Sequence, residues 1–143
     1  MNVFVVHGPN LNLLGEREPD VYGTMTLDEL DRRIRERAKD LNVNVRFFQS
    51  NHEGQLVDAL HGIRHWADAI IINPAAYTHY SYAIRDAIAA IAKPTFEVHL
   101  SDITKREPFR SISVIAEVCS GQISGLGVDS YLQALERLAE GAA

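Results

Sequence analysis

Apolar positions along the chain follow two periods. Short runs rich in β-branched residues cover positions 3–6, 43–48, 69–72 and 95–100, with a weaker one at 122–124, and their lengths predict strands. Val3-Phe4-Val5-Val6 and Ala69-Ile70-Ile71-Ile72 are apolar throughout, as strands of a sheet covered on both faces should be. Between the runs, apolar residues recur at spacings of three and four. Leu27, Leu30, Ile34, Ala38 and Leu41 accompany Thr26-Leu27-Asp28-Glu29, a capping box with Thr at the N-cap and Glu three positions on. Ser50 and Glu53 repeat that box ahead of Leu56, Leu60 and Ile63. Ile84, Ala87, Ile88 and Ile91 mark a third helix ended by Pro94. Asp129 or Ser130 caps a fourth, which carries Leu132, Leu135 and Leu138.

Strands alternating with helices imply right-handed crossovers and a parallel sheet with helices on both faces. Five strands predict a flavodoxin-like three-layer α/β fold with a five-stranded parallel sheet in the order 2-1-3-4-5. Two segments break the rhythm. Residues 7–24 have no period and are long for a strand-to-helix loop, which marks either a functional lid or disorder. Residues 101–118 begin polar and end apolar, and their second half is assigned to neither helix nor strand.

Composition narrows the class. At 143 residues the chain is the length of one domain. Fourteen Lys and Arg against nineteen Asp and Glu give a net charge of −5, which argues against nonspecific nucleic-acid or anionic-membrane binding. Cys119 is the single cysteine, so no intrachain disulfide can form and a reducing compartment fits best. The first residues lack a basic stretch, and no apolar run nears the roughly 18 residues of a membrane span. A cytoplasmic protein is expected.

In an open parallel sheet, ligands bind beyond the carboxyl ends of the strands. Those ends carry His7-Gly8-Pro9-Asn10, Gln49-Ser50-Asn51, Asn73 and, on the fourth run, Glu97, His99 and Ser101. Gln49 and Asn51 are explained by strands leaving the core. Glu97 and His99 are not, because they alternate with Phe96, Val98 and Leu100 and so share one face. Such a pair can fix the imidazole tautomer and raise its pKa, as a general acid near neutral pH requires. It can also be a satisfied structural pair, and the pattern leaves both readings open. In the irregular segment Arg17 precedes Tyr22 by five positions. A neighbouring guanidinium could stabilise a phenolate base; packing of the ring and solvation of the Arg is the plainer alternative.

Other candidates carry less. Gly125-Leu126-Gly127 is half a dinucleotide loop with no strand–helix unit after it, and reads as a turn. His61 and His65 lie one helical turn apart without a third ligand, so no metal is expected. Cys119 reads as a small hydrophobe, and Met25 and Trp66 as packing. Lys105, Arg106 and Arg110 could clamp an anion or simply face solvent.

Gly8-Pro9-Asn10-Leu11-Asn12-Leu13-Leu14-Gly15, then Arg17-Glu18-Pro19 and Tyr22-Gly23, resemble the N-terminal signature of type II 3-dehydroquinate dehydratase. The resemblance continues through Gln49-Ser50-Asn51-His52-Glu53-Gly54, Ile72-Asn73-Pro74, Thr78-His79, Arg85-Asp86-Ala87, Glu97-Val98-His99-Leu100-Ser101 and Arg106-Glu107-Pro108-Phe109-Arg110. It implies a cofactor-free lyase of the shikimate pathway, on the route to chorismate and the aromatic amino acids. That lyase removes water from 3-dehydroquinate by anti elimination through an enolate, with no Schiff-base lysine. By position, Tyr22 would be the base, with Arg17 lowering its pKa. Asn10 would hold the enolate through a water, and His99, oriented by Glu97, would protonate the departing hydroxyl. Asn73, His79 and Arg110 would bind ring hydroxyls, and the backbone N–H groups of Leu100 and Ser101 the carboxylate; Arg106 belongs to the same motif. Asp86 would reach a neighbouring subunit's site, since the family assembles trimers into a dodecamer. Residues 1–143 would then be one catalytic domain, with a lid at about 12–24.

Two positions depart from the family pattern, Asp102 where Asn is expected and Tyr80 where Thr is common. Asp102 puts a negative charge near the expected carboxylate site unless Lys105 or Arg106 neutralises it. The competing class is a noncatalytic flavodoxin-like module. A flavin binder wants a Ser/Thr/Gly-rich loop where Pro9-Asn10-Leu11-Asn12 stands, and a phospho-receiver wants Asp where Asn73 stands; both features favour the enzyme.

Overall fold

The structure, a computed structural model, describes residues 1–16 and 18–141, with Val21 and Tyr22 described by their backbone alone. The chain runs β1 (Asn2–His7), α1 (Pro19–Tyr22), α2 (Leu27–Asp40), β2 (Asn44–Gln49), α3 (Glu53–Ile63), β3 (Ala69–Asn73), α4 (Tyr82–Ile91), β4 (Thr95–His99), β5 (Gly121–Ser124) and α5 (Val128–Ala139). The five strands form one sheet in the order β2-β1-β3-β4-β5, with every neighbouring pair parallel. This is the order that the alternation predicted.

Strand alternation sorts the core into two layers. Val3, Val5, Ala69, Ile71, Phe96 and Val98 face α2 and α5, where they meet Leu30, Ile34 and Leu135. Phe4, Val6, Ile70 and Ile72 face α3 and α4, meeting Leu56, Leu60, Ile84 and Ile88. The all-apolar β1 and β3 are therefore the central strands covered on both sides. Register places His7 beside both Gln49 and Asn73, so three strands end at one level on the carboxyl edge.

The caps are met in part. Thr26 Oγ1 accepts from the Glu29 N–H at 3.2 Å, as its capping box requires. The second box does not form. Ser50 Oγ accepts from the His52 N–H at 3.0 Å and donates to Gln55 Oε1, while Glu53 Oε2 accepts from the Ser81 hydroxyl. The longer-range bond from α4's N-cap serine claims the glutamate that a local box would use. At α5 the N-cap is Gly127, not Asp129 or Ser130. Ser130 lies inside the first turn, buried, and its Oγ accepts from the Leu126 N–H. A glycine at φ 60° makes the sharp turn that a side chain would strain.

Both irregular segments are built from short turns. After β1 a 3-10 turn, Leu11–Leu13, precedes α1, and Leu11 and Leu14 are buried in the α2–α5 layer. Residues 12–24 are thus anchored at their start. Between β4 and β5 lie three 3-10 turns, Ile103–Lys105, Pro108–Ser111 and Ala116–Val118, so the apolar stretch that periodicity left unassigned is neither strand nor α-helix. No helix among the described residues is long and apolar enough to cross a membrane.

Candidate active site

The loops leaving β1, β3 and β4 converge on one cleft at the carboxyl edge of the sheet. Asn10, Asn73, His79, His99, Leu100 and Ser101 line it, and Arg106 and Arg110 supply its cationic wall. Side chains up to a hundred residues apart in sequence meet here because the strands stop in register. Gly8 allows the closest approach. Its N–H donates to the Asn73 carbonyl at 2.7 Å, and a Cβ at this position would stand 2.7 Å from the carbonyl carbon and oxygen of Pro74.

Glu97 and His99 lie on the α3–α4 face of β4. His99 Nε2–H donates to Glu97 Oε2 at 2.5 Å, and both side chains are buried. Glu97 does not reach the cleft; it acts on His99. Thr78 Oγ1 also donates to Oε2, and Ser113 Oγ donates to Oε1 at 2.7 Å. Burial alone would raise the Glu97 pKa, but the hydrogen bond and charge of His99, with the two hydroxyls, outweigh it and hold the carboxyl below its ordinary value. A carboxylate in that state is fit to hold an imidazolium. Because Glu97 takes Nε2, Nδ1 is the ring nitrogen that can meet a ligand. Thr78 and Ser113 were not singled out from the sequence for this task. Thr78 stands beside His79 in a motif, while Ser113 lies in a stretch with no readable period.

Asn10 adopts the left-handed backbone conformation at φ 69°, which Asn tolerates better than most residues. Its N–H donates to Asn51 Oδ1 at 2.9 Å, and Gln49 Nε2 donates to Gly8 O and to Asn51 Oδ1. Gln49 and Asn51 therefore pin the loop that presents Asn10, a task beyond the simple exit from the core expected of them.

His79 Nδ1–H donates to the Ile112 carbonyl at 2.7 Å, which leaves Nε2 for the cleft. Burial lowers its pKa against that bond's opposing pull, and the electrostatic influence of His99 and Arg110 lowers it further against the pull of Glu97, favouring a neutral ring. Arg110 is held by Glu107 Oε2 at 2.5 Å and packs its guanidinium 4.7 Å from the Phe109 ring centre. Arg106 lies 3.6 Å from Glu18, linking the cationic wall to the segment after β1. Asp102 is turned from the cleft: Oδ1 accepts from the Thr104 N–H and hydroxyl, and Lys105 stands 3.9 Å away. Those hydrogen bonds, the hydroxyl's first, hold its carboxyl below the usual range.

Not every expected residue joins the cleft. Asp86, expected at a neighbouring subunit's site rather than at this one, is exposed on α4, away from the cleft. Arg17 and the Tyr22 side chain lie outside the described residues. His7, grouped with the strand ends from sequence, points into the α2–α5 layer and bonds to Asp31 and Tyr131. Its parity matches Val3 and Val5 rather than the Glu97 face. Among the described residues no cluster of three or more His, Cys, Asp or Glu could hold a metal ion, and His61 and His65 are exposed. Burial pushes the Cys119 thiol up to about 12, which leaves it a poor nucleophile.

Fold and cleft together define a flavodoxin-like α/β protein with an oriented imidazole and a cationic wall at its strand ends. The model of the Dehydroquinase class II family matches residues 1–139, and the chain belongs to that family. The chain is 57% identical over 139 residues to 3-dehydroquinate dehydratase of Pelotomaculum thermopropionicum, covering 97% of this chain and 96% of that one. The enzyme of the same name from Dictyoglomus turgidum is 57% identical over 138 residues, 96% of this chain and 95% of that one. The crystal structure of type II dehydroquinase from Butyrivibrio crossotus superposes with a TM-score of 0.95 at 46% identity, covering 96% of this chain and 97% of the other.

Proposed function

We propose that the chain is a lyase that dehydrates 3-dehydroquinate to 3-dehydroshikimate in the shikimate pathway. The observation that carries the reading is the buried Glu97–His99 pair opening onto a cleft that also holds Asn10, Asn73, His79 and Arg110. Family membership supplies the substrate.

The chemistry is an anti elimination. Tyr22, as phenolate beside Arg17, takes the proton from C2, and the electron pair delocalises onto the C3 carbonyl as an enolate. Asn10 holds that enolate through a water. Collapse of the enolate forms the C1–C2 double bond and breaks C1–O, while His99 Nδ1–H protonates the departing hydroxyl as water. Glu97 stabilises the imidazolium that delivers this proton. Each positioned acid or base contributes roughly 10²–10⁴-fold. Asn73, His79 and Arg110 bind the ring hydroxyls, the backbone N–H groups of Leu100 and Ser101 the carboxylate, and Arg106 adds positive charge beside it. No residue of this scheme requires a cofactor. Residues 1–143 act as one catalytic domain with a lid at about 12–24, in the cytoplasm. The exposed Asp86 completes a neighbouring subunit's site within trimers assembled into a dodecamer.

The test is turnover of 3-dehydroquinate by purified protein, followed by ultraviolet absorbance of the conjugated enone, with a sample pretreated with borohydride in the presence of 3-dehydroquinate alongside. Turnover that survives borohydride is expected, since no imine forms. A correctly folded, assembled sample without turnover would sink the reading.

A further inference from the structure

Asn51 stands in the bend after β2 and is exposed, yet segments leaving three strands meet on it. Its Oδ1 accepts from the Asn10 N–H at 2.9 Å and from Gln49 Nε2–H at 3.2 Å. Those two donors use both lone pairs of the amide oxygen, so the side chain is held with its oxygen toward Asn10. The backbone of Asn51 is fixed as well. Its carbonyl accepts from the Tyr77 hydroxyl at 2.8 Å, and Tyr77 belongs to the 3-10 turn Ala75–His79 that follows β3.

What Asn51 holds is a residue in an unusual conformation. Asn10 sits at φ 69° and ψ −5°. Its carbonyl accepts from the Leu13 N–H at 3.0 Å, a bond that the local turn supplies, while its N–H is fixed by a side chain from another strand. Residues other than glycine leave the left-handed region readily when nothing holds them there. A return to negative φ would re-aim the Cα–Cβ bond, and with it the amide that Asn10 presents at the wall of the cleft. Stability does not account for the contact, because at an exposed position water satisfies an N–H nearly as well. Its consequence is the direction in which Asn10 points.

We propose that Asn51 is a positioning residue for the enolate, acting by holding Asn10 in its left-handed conformation. This rests on the reading of the cleft as the 3-dehydroquinate site, with Asn10 supporting the enolate through a water. The enolate's charge exists only after the C2 proton has left, so a misplaced Asn10 costs the transition state more than the bound substrate. Asn73 and Arg110 still hold the ring, so the loss should fall on kcat and spare KM.

The experiment is a double-mutant cycle in the turnover assay, with Asn51→Ala and Asn10→Gly made singly and together and urea midpoints measured in parallel. Glycine deletes the Asn10 amide and accepts the same positive φ without strain. Asn51→Ala is expected to lower kcat about 2- to 10-fold, with KM within about twofold and the urea midpoint nearly unchanged. In the Asn10→Gly background it should lower kcat no further. An unchanged kcat in Asn51→Ala, a loss that appears in KM instead, or an equal fall in kcat with and without the Asn10 amide would overturn the assignment and leave the dehydratase reading intact. A wild-type kcat in Asn10→Gly would overturn it too, by removing Asn10 as the enolate's support. Folded wild type without turnover would overturn the dehydratase reading and this assignment with it.

Discussion

Replacing Glu97 by Gln removes one charge from the most buried part of the site and keeps the side chain's volume. The carboxylate accepts from His99, Thr78 and Ser113, whereas an amide has one oxygen. The cheaper orientation turns the amide nitrogen to Ser113, whose hydroxyl oxygen can accept, and leaves the amide oxygen on His99 and Thr78. Geometry then survives, and what is lost is the charge that holds the imidazolium. Hydrogen bonds to charged groups are worth about 1.5–3 kcal/mol, so kcat should fall about 10- to 150-fold, within the total that a general acid supplies. The assay is enone absorbance at saturating 3-dehydroquinate, with KM nearly unchanged.

The same variant carries a stability signature. The folded-state pKa of Glu97 is depressed below the ordinary 4.5, so between the two values the unfolded chain binds more protons and stability rises with pH. The contribution is fully present above about 4.5 and is lost as pH falls through the lower, folded value. Urea unfolding should therefore show wild type and Glu97→Gln furthest apart at neutral pH and converging in acid. A kcat within threefold of wild type, or a stability gap that stays constant or widens as pH drops, would refute the assignment of Glu97 as the charged support of His99.

Tyr22→Phe should abolish turnover yet leave ligand binding, measured by calorimetry, largely intact; activity within tenfold of wild type would remove Tyr22 as the base. Asp102→Asn should leave kcat nearly unchanged and lower KM modestly, since its carboxylate serves the Thr104 turn and only its charge is felt at the cleft; a large fall in kcat would show another role. Gly8→Ala should cost about 1–3 kcal/mol by overpacking against the Pro74 carbonyl and raise KM by displacing Asn10 and Asn73. An unchanged urea midpoint would show that the two loops separate freely.

Much of the fold was legible because burial on both faces writes itself into β1 and β3 as unbroken apolar runs, and because α2 carries its cap within four residues. The two misplaced caps share a cause. Ser50 and Ser130 are local cap candidates whose hydroxyls serve different local turns, and Glu53 is drawn to Ser81, twenty-eight positions away. The Glu97–His99 pair could be read because strand alternation is a local rule. Its supports could not, since Ser113 belongs to consecutive 3-10 turns that have no hydrophobic period. His7 was misdirected for a related reason: alternation says that it shares a face with Val3 and Val5, but not which face holds the site, and its partner Tyr131 lies 124 positions on.

That division between faces bears on the stereochemistry. Ile72 pairs in register with Glu97, so the acid pair belongs to the α3–α4 layer, while Asn73 and His7, one position out of phase, belong to the α2–α5 layer. A ring lying across the sheet edge therefore meets its proton donor from one layer only. Anti elimination needs the base on the opposite side of the ring, and that base must come from a segment rooted in the other layer. Residues 12–24 have that origin, because Leu11 and Leu14 anchor their start among Leu30 and Leu135 on the α2–α5 side. Arg106, on the loop after β4, meets Glu18 of that segment at 3.6 Å. The segment that carries the proposed base and the strand that carries the acid are thus rooted in opposite layers as a consequence of strand parity. A one-residue shift in the exit of β4 would put both on one side and favour syn loss instead.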